Sequence, residues 1–348
     1  MRIAQVAPIF ESVPPKLYGG TERVVSYLTE ELVRRGHDVT LFASGDSCTS
    51  ATLVPVVEEA TRLQPSSYDV CSVGAVRQLD MVLARADDFD VIHCHVDYPA
   101  FPLTRRLRTP TVHTLHGRLD LPHLIPLFRH FDDVPVVSIS NAQRAPLEGV
   151  DVRWAGTVYH GQPLERYPFA AEDRGYLAFL GRASPEKQLD LAIEIAKHAR
   201  MPLKIAVKVD PKDREYFDGE VAPLLDDPLI EFLGEIGDDD KGPFLAGARA
   251  LLFPIDWPEP FGLVMVEAMA CGTPVIARPC GSVPEIVEHG RTGFLGETLL
   301  DLVEAVNRVD EIDRAECRRH AEQRFSVGRM TDDYEAVYRR LTARGPTA

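Results

Sequence analysis

The chain has 348 residues, a formal net charge of −15, and apolar and charged fractions of 45% and 26%. This length suits two domains with separate cores, and the composition is that of a globular protein rather than a disordered or fibrous one. The negative charge argues against a nucleic-acid-binding protein, because phosphate contacts need a basic face. No apolar run is long enough to span a bilayer, and the first residues are typical of a strand rather than a signal peptide, so we expect a cytoplasmic protein.

The first half of the chain alternates short β-rich runs with amphipathic segments. Residues 2–44 are predicted to form a strand, a helix and a second strand, and further strands are predicted at 90–94, 111–115 and 134–140. Alternation of this kind predicts a parallel sheet with helices on both faces.

Turn-forming residues break this pattern between 158 and 172, and a new series of strands and helices starts at 176. We therefore predict an α/β protein with two Rossmann-like domains and a boundary near residue 160. Two open parallel sheets in series are expected to face each other across a cleft, and ligands bind such sheets beyond the carboxyl ends of the strands. Candidate functional residues should therefore follow predicted strands directly.

A glycine pair, Gly19 and Gly20, follows the first strand and opens the first helix in the run YGGTERV. Glycines let the backbone approach a ligand closely, and free N–H groups at the start of a helix favour an anion. The spacing is that of neither a GxGxxG nor a P-loop fingerprint. An ordinary loop before a helix explains the pair at least as well, so both interpretations stay open at this point.

Two cations, Arg182 and Lys187, come directly after the predicted strand at 176–181, in the run GRASPEK. Ser184 is predicted to cap the following helix and Pro185 to occupy its first position, which would bring both cations near a helix N-terminus. Cations and helix dipole would then act together on a diphosphate. The alternative is a solvated basic pair on the surface.

The run PEPFGLVMVEAMA contains two glutamates with different surroundings. Glu259 precedes a predicted helix in a proline-flanked loop, whereas Glu267 lies inside that helix among apolar residues and needs a partner unless it is solvated. The N–H groups of Phe261, Gly262 and Leu263 form the exposed start of the helix. The two carboxylates are therefore placed to bind hydroxyls at both ends of an extended sugar nucleotide.

Histidines and acidic residues raise the question of a metal site. His116 follows a predicted strand in the run TLHG and is a candidate site residue, although a histidine there is equally often structural. His93 and His95 have the spacing of alternate strand positions, but no third ligand is evident, which favours a structural role. Residues 238–240 are aspartates that precede a helix, where acidic residues complement the dipole. No metal site is predicted.

Together these runs resemble the retaining family 4 glycosyltransferases, which have the GT-B fold. The resemblance extends over nearly the whole chain, and its most specific run is EPFGLVMVEAMACGTPVIA. The other runs that carry it are YGGTERV, LHG, SISNAQR, GRASPEKQLD and GSVPEIVEHGRTGFL. By this resemblance the domains would be 1–160 and 161–326, and a terminal helix at about 327–348 would pack back on the first domain.

The resemblance implies a site for a nucleotide-diphosphate sugar. Gly19 and Gly20 would approach the donor diphosphate from the first domain, and Arg182 and Lys187 would bind it from the second. His116 would lie beside the transferred sugar and the acceptor.

Further contacts implied by the resemblance come from the second domain. Glu267 would accept hydrogen bonds from the ribose hydroxyls, and Glu259 would contact the donor sugar. The residues implied to meet the base, or to assist Glu259 through the backbone, are Gly234, Ile236, Phe261, Gly262 and Leu263. The catalytic set would be Glu259, His116, Arg182 and Lys187.

The implied reaction transfers a hexose from a donor of the UDP-glucose or GDP-mannose class, with retention of configuration, to an acceptor that the sequence does not identify. No divalent metal and no cofactor is expected, because cations and helix N-termini would stabilise the leaving diphosphate. The alternatives are a sugar-nucleotide epimerase of the same fold and a non-catalytic nucleotide-sugar-binding protein. The missing GxGxxG run argues against a nicotinamide dehydrogenase.

Three further features leave questions open. Gln188 follows Lys187 where a glycine is common in the family, and Lys208 stands near a turn that is usually glycine-rich, which makes Lys208 an additional candidate for the cleft. The basic stretch 105–108 is compatible with weak contact to anionic lipid but favours a solvated helix end. The oligomeric state is not indicated by any of these features.

Overall fold

The structure is a computed structural model that describes residues 1–17, 19–62, 64 and 67–343. The chain divides into two compact units. The first unit runs from Met1 to Gly161 and takes in the C-terminal segment from Val327, and the second unit is Gln162–Ser326. The division falls between residues 161 and 162, against a predicted boundary near residue 160.

The first unit is built on a parallel sheet of seven strands. They are β1 (Arg2–Val6), β2 (Asp38–Ala43), β3 (Thr52–Pro55), β4 (Val91–Cys94), β5 (Thr111–Thr114), β6 (Val136–Ser138) and β7 (Trp154–Thr157). Their order in the sheet is β3-β2-β1-β4-β5-β6-β7, so the direction of chain progression reverses between β1 and β4. The described α-helices of this unit are α1 (Gly20–Arg34), α2 (Ser67–Ala84), α3 (Phe101–Thr104), α4 (Leu124–His130) and the C-terminal helix α12 (Val327–Ala343).

The C-terminal helix belongs to the first unit through its packing. Helix α12 contacts α1, and Tyr334 and Tyr338 on α12 are among the largest fully buried side chains of the protein. The helix therefore closes the core of a unit whose other elements come from the opposite end of the chain.

The second unit is built on a parallel sheet of six strands. They are β8 (Tyr176–Arg182), β9 (Leu203–Lys208), β10 (Ile230–Gly234), β11 (Ala248–Phe253), β12 (Val275–Ala277) and β13 (Gly293–Leu295). Their order is β10-β9-β8-β11-β12-β13, which is the order of a Rossmann sheet, with the reversal between β8 and β11. The α-helices are α5 (Leu189–Ala199), α6 (Arg214–Tyr216), α7 (Asp238–Ala246), α8 (Leu263–Ala270), α9 (Val283–Ile286), α10 (Leu299–Arg308) and α11 (Arg314–Arg324). The predicted fold class, α/β with two Rossmann-like parallel sheets, is confirmed.

The helix predicted from residue 185 begins later than expected. Residues Pro185–Lys187 form a single 3-10 turn, and α5 starts only at Leu189. Gln188 between them has φ 54° and ψ 52°, a left-handed conformation that cannot continue a helix. Lys187 therefore precedes the α-helix instead of lying in its first turn, and the prediction that Ser184 caps this α-helix is wrong.

Arg105, Arg106 and Arg108 are exposed, as expected for a solvated helix end. The stretch 105–108 follows α3 directly, and Arg105 forms an ion pair with Asp133 at 2.9 Å. Among the described residues, none of the helices combines the length and the apolar character needed to cross a bilayer. Contact of this stretch with anionic lipid stays a prediction.

Candidate functional site

Lys187 and Glu259 form a largely buried ion pair beyond the carboxyl ends of β8 and β11. The ammonium nitrogen of Lys187 also lies 5.2 Å from the ring centre of Phe253 and 5.1 Å from that of Trp257. Trp257 Nε1 donates a hydrogen bond to Glu259 Oε2 at 3.0 Å. The cluster therefore lies where the strand order reverses, the usual ligand site of an open α/β sheet.

Arg182 lies beside this cluster as the last residue of β8. It is paired with Glu186, and its Nε lies 3.1 Å from Asp213 Oδ2. Lys208 is the register partner of Arg182 at the end of β9 and forms an ion pair with Asp210 at 2.9 Å. The carboxyl edge of the second sheet thus presents Arg182, Lys187 and Lys208, each held by a carboxylate, and Arg278 after β12 pairs in the same way with Asp256 at 2.9 Å.

Two loops fix the backbone around Glu259. Gly262 precedes α8 with φ 79°, a conformation that favours glycine, and a Cβ there would lie 2.7 Å from Met265 Cε. The backbone N–H of Ser282 donates to the Glu259 carbonyl, and its hydroxyl donates to the Phe261 carbonyl, both at 2.9 Å. The residues just before α8 are therefore held in place by Ser282, through its backbone N–H and its hydroxyl.

Glu267 has the partner that its apolar surroundings require. It is the fifth residue of α8 and only 5% exposed. The hydroxyl of Tyr167 donates to Glu267 Oε1 at 3.3 Å. This arrangement satisfies a carboxylate inside the unit, and contact of Glu267 with a ribose stays a prediction.

Gly234 and Ile236 lie along the same edge of the sheet. Gly234 is the last residue of β10, which β9 separates from β8. At the usual strand spacing this puts the β10 end about 10 Å from Arg182. The neighbouring Phe232 and Leu233 are 40% and 42% exposed. An exposed apolar surface thus lies where the resemblance implies a base.

In the first unit, Gly19 and Gly20 stand at the start of α1, as predicted. A Cβ on Gly19 would lie 2.7 Å from Pro15 Cβ, so packing within the loop already requires a glycine. Glu22, in the first turn, is buried, and burial raises its pKa to about 7. Tyr18 lies outside the described residues. Approach of this loop to a diphosphate stays a prediction.

His116 follows β5 and is held by three contacts. Its Nε2 lies 2.9 Å from His95 Nδ1, its backbone N–H donates to Asp97 Oδ1 at 3.2 Å, and its ring stacks on His160 with centroids 5.2 Å apart. Burial lowers the pKa of His116 to about 3. The side chain is therefore neutral near pH 7 and acts as a hydrogen-bonding group rather than as a cation.

The residues that raised the question of a metal are engaged in other contacts. His93 lies between the hydroxyls of Tyr338 and Thr114, each 2.7 Å from one ring nitrogen. Asp238 begins α7 and pairs with Lys241 at 2.9 Å. In the part of the chain that the structure describes, no group of three or more His, Cys, Asp or Glu side chains could hold a metal ion.

The structure brings Lys187 together with Glu259, which are 72 positions apart in the chain. It also adds site residues that the sequence did not predict: Trp257, Asp213 and Tyr167. Trp257 directly precedes the PEPFG run, and its position two residues before Glu259 was an available signal. Asp213 and Tyr167 are distant in sequence from their partners, so no local pattern indicates them.

Known proteins match both units. The family model of glycosyltransferase family 4 covers residues 18–171, and that of glycosyl transferases group 1 covers residues 164–324. An N-acetyl-alpha-D-glucosaminyl L-malate synthase of Bacillus anthracis is 27% identical, and the match covers 92% of this chain and 93% of that enzyme.

Solved structures share the whole architecture. The structure of AviGT4, a glycosyltransferase involved in avilamycin A biosynthesis, has a TM-score of 0.74 and 25% identity, covering 99% of this chain and 98% of that one. Anabaena HepE in complex with UDP-glucose has a TM-score of 0.73 and 19% identity, covering 99% and 100%. With a family model on each unit and two Rossmann-like sheets in series, the chain belongs to glycosyltransferase family 4 and has the GT-B fold.

Proposed function

We propose that this glycosyltransferase transfers a hexose from a nucleotide-diphosphate sugar to an acceptor alcohol, with retention of the anomeric configuration and without a divalent metal. The observation that carries the proposal is the cluster of Lys187, Glu259 and Trp257 at the reversal point of the second sheet. HepE, which has the same fold, is solved with UDP-glucose, and this supports a donor of the UDP-glucose class, with GDP-mannose as the second choice.

The diphosphate would be bound by the two cations next to this cluster. Departure of a nucleoside diphosphate builds negative charge on the phosphate oxygens, and prearranged cations stabilise that charge without reorganising during the reaction. Before the donor binds, Glu186 and Asp213 hold Arg182, and Glu259 holds Lys187. The two cations would therefore perform electrostatically what a metal ion does in other transferases.

The two glutamates would bind the donor on either side of the diphosphate. Glu259 is held by the Ser282 backbone and lies at the mouth of the site, where it would contact the sugar. Glu267 lies further along α8 beside Tyr167, where it would accept hydrogen bonds from the ribose. In this proposal the leaving phosphate takes the proton of the attacking acceptor hydroxyl on the same face, so no carboxylate acts as a covalent nucleophile.

The donor must displace carboxylates from their cations when it binds. Every cation at this edge has a carboxylate partner, so the local charge is balanced before a ligand arrives. A diphosphate carries more charge than one carboxylate and offers several acceptor oxygens, which favours the exchange. Glu259 would then be released from Lys187 and become available to the hydroxyls of the sugar.

The test measures thermal stability and affinity for UDP, GDP, ADP and dTDP, because a ligand that binds the folded state stabilises it by mass action. We expect one diphosphate to stabilise the protein and Lys187→Ala to weaken its binding at least about tenfold, which corresponds to the loss of one charge-assisted contact. Lys197→Ala is the matched control, since Lys197 forms an ion pair with Glu194 on α5.

The full reaction is then followed with the preferred nucleotide sugar and simple alcohol acceptors. Product with the donor's anomeric configuration, formed equally well with and without a chelator, would support the proposal. Unchanged diphosphate affinity in Lys187→Ala, or activity that requires Mg²⁺, would contradict it.

A further inference from the structure

A line of buried hydrogen bonds crosses three neighbouring strands at the carboxyl edge of the first sheet. Gln5 lies on β1, His95 follows β4 and His116 follows β5, and these strands are adjacent in the order β1-β4-β5. Gln5 Oε1 lies 2.8 Å from His95 Nε2, and His95 Nδ1 lies 2.9 Å from His116 Nε2. Two hydrogen bonds therefore connect the core of the sheet to a predicted site residue.

The direction of these bonds follows from the orientation of the Gln5 amide. Its nitrogen donates to the Tyr338 hydroxyl at 3.2 Å, which turns its oxygen toward His95. An amide oxygen only accepts, so His95 Nε2 carries a hydrogen. Burial holds the pKa of His95 well below its ordinary value, so the ring is neutral and carries one hydrogen only. His95 Nδ1 is therefore an acceptor, and His116 Nε2 must be the donor to it.

Tyr338 fixes the amide of Gln5 in turn. Its hydroxyl also lies 2.7 Å from His93 Nδ1. A phenol has one hydrogen, so when that hydrogen goes to His93 the oxygen remains as the acceptor for the Gln5 nitrogen. Gln5 is 0% exposed, so bulk water does not compete for its amide. The Tyr338 hydroxyl on α12 thus orients Gln5, and through Gln5 it orients His95 and His116.

The result at His116 is a neutral ring with hydrogen on Nε2 and none on Nδ1. Among the described residues no group forms a hydrogen bond with the buried Nδ1. The stacked His160 ring and the bond from the backbone to Asp97 fix the plane of the imidazole. A bare nitrogen accepts hydrogen bonds from hydroxyls but cannot donate to a phosphate oxygen.

We propose that Gln5 and His95 are positioning residues that hold His116 in the Nε2–H tautomer, so that Nδ1 accepts a hydrogen bond from a sugar or acceptor hydroxyl. This inference rests on the proposed function, since it requires a polyol ligand. It assigns His116 to hydroxyl recognition rather than to the diphosphate.

The first experiment records the tautomer directly. Long-range ¹H–¹⁵N spectra of the ligand-free protein distinguish a protonated Nε2 from a protonated Nδ1. We expect His116 with hydrogen on Nε2, and a ring protonated on Nδ1 would overturn the proposal whatever the enzyme transfers. Because this measurement needs no substrate, it separates failure of the tautomer assignment from failure of the proposed function.

The second experiment uses two tyrosines of α12 as a matched pair. Tyr338→Phe removes the hydroxyl that orients Gln5, whereas Tyr334→Phe removes an equally buried hydroxyl that bonds Thr114, on the other side of His93 from Tyr338. We expect Tyr338→Phe and Gln5→Met to disturb the His116 nitrogen shifts and to lower kcat/KM about tenfold or more. Tyr334→Phe should leave both near wild type. Equal effects of the two tyrosine variants on the tautomer would overturn the positioning role.

Binding measurements distinguish whether the transferred sugar or the acceptor supplies the hydroxyl that bonds His116. If the transferred sugar supplies it, Tyr338→Phe weakens binding of the nucleotide sugar but not of the free nucleoside diphosphate in calorimetry. If the acceptor supplies it, both affinities are unchanged and the KM for the acceptor rises. Unchanged donor affinity together with an unchanged acceptor KM and kcat would overturn hydroxyl recognition by His116.

Discussion

Gln188 occupies a backbone conformation that suits glycine better than glutamine. Its φ of 54° is in the left-handed region, which costs a residue with a side chain roughly 1 kcal/mol. The family resemblance places a glycine at this position. Arg200, at the other end of α5, has the same φ of 54° and lies at the C-cap, away from Lys187.

Gln188→Gly and Arg200→Gly should therefore both stabilise the protein, each by up to about 1 kcal/mol, because each removes the same strain. The two variants should differ in diphosphate affinity, since only Gln188 adjoins Lys187. Urea unfolding measures the first effect and calorimetry the second. A change in affinity with Arg200→Gly as large as that with Gln188→Gly would contradict a local effect on Lys187.

At the scale of single residues, the sequence predicts those site residues that lie in a recognisable run close to the end of a strand. Arg182 ends β8 and Glu259 lies in the loop between β11 and α8, so alternation of strands and helices was enough to bring them to one edge of a sheet. Asp213 and Tyr167 act only through tertiary contacts with Arg182 and Glu267, and neither lies in a recognisable run. Predicting them would require the packing of α8 and of the turns between β9 and β10.

At the scale of elements, the loop before α9 supports the loop that carries Glu259. Gly281 has φ 59°, and a Cβ there would lie 2.3 Å from the Glu259 nitrogen. Gly290 has a similar φ of 77°, but a Cβ there would meet no atom within 4 Å. A side chain at either glycine would strain the backbone, but only a side chain at Gly281 would collide with Glu259.

Gly281→Ala should lower kcat/KM strongly, by about tenfold or more, because the new methyl group must displace the Glu259 backbone from its place. Gly290→Ala should lower stability by about 1 kcal/mol and leave kcat/KM within about twofold of wild type. Steady-state kinetics and urea unfolding of both variants check the prediction. Equal losses of activity would show that strain alone, rather than contact with Glu259, is responsible.

Several of the elements that the sequence did not predict lack a strong apolar pattern. Strand β3 is at the edge of its sheet and none of its residues is buried, and β13 has only three residues. Helix α11 has the run RAECRRHAEQR, in which three side chains are buried. Contacts with neighbouring elements fix the positions of these strands and this helix, so the pattern of apolar residues in the local sequence predicts them poorly.

At the scale of the whole molecule, the first unit contains five histidines that stay neutral, four of them buried and His116 half-buried. Burial lowers the pKa of His113 and of His116 to about 3. It lowers the pKa values of His93, His95 and His160 well below the ordinary value. An unfolded chain binds protons on these rings below about pH 6.5, whereas the folded chain does not. These histidines therefore cost no stability above about pH 6.5, and they lower the free energy of unfolding as the pH falls below that value.

Two carboxyl groups of the same unit act in the opposite direction. Burial raises the pKa of Glu22 to about 7 and that of Asp97 to about 6. Their folded forms take up protons before the unfolded chain does, which stabilises the fold between about pH 7 and pH 4. Five histidines outnumber two carboxyls, and below about pH 4 the carboxyl contribution stops increasing. The net effect expected is acid instability of the first unit.

His113 offers the sharpest test of this balance, because it is 0% exposed and its ring bonds Thr104 at 2.9 Å, outside the chain of bonds to His116. Each proton bound only by the unfolded chain costs about 1.4 kcal/mol per pH unit. His113→Asn should therefore be less stable than wild type at pH 7, but its stability should fall by about 2 kcal/mol less between pH 6 and pH 4. The control is His123→Asn at an exposed position, which should leave the change of stability with pH the same as in wild type. Parallel stability curves for wild type and His113→Asn in urea unfolding would mean that His113 takes up its proton in the folded state as well.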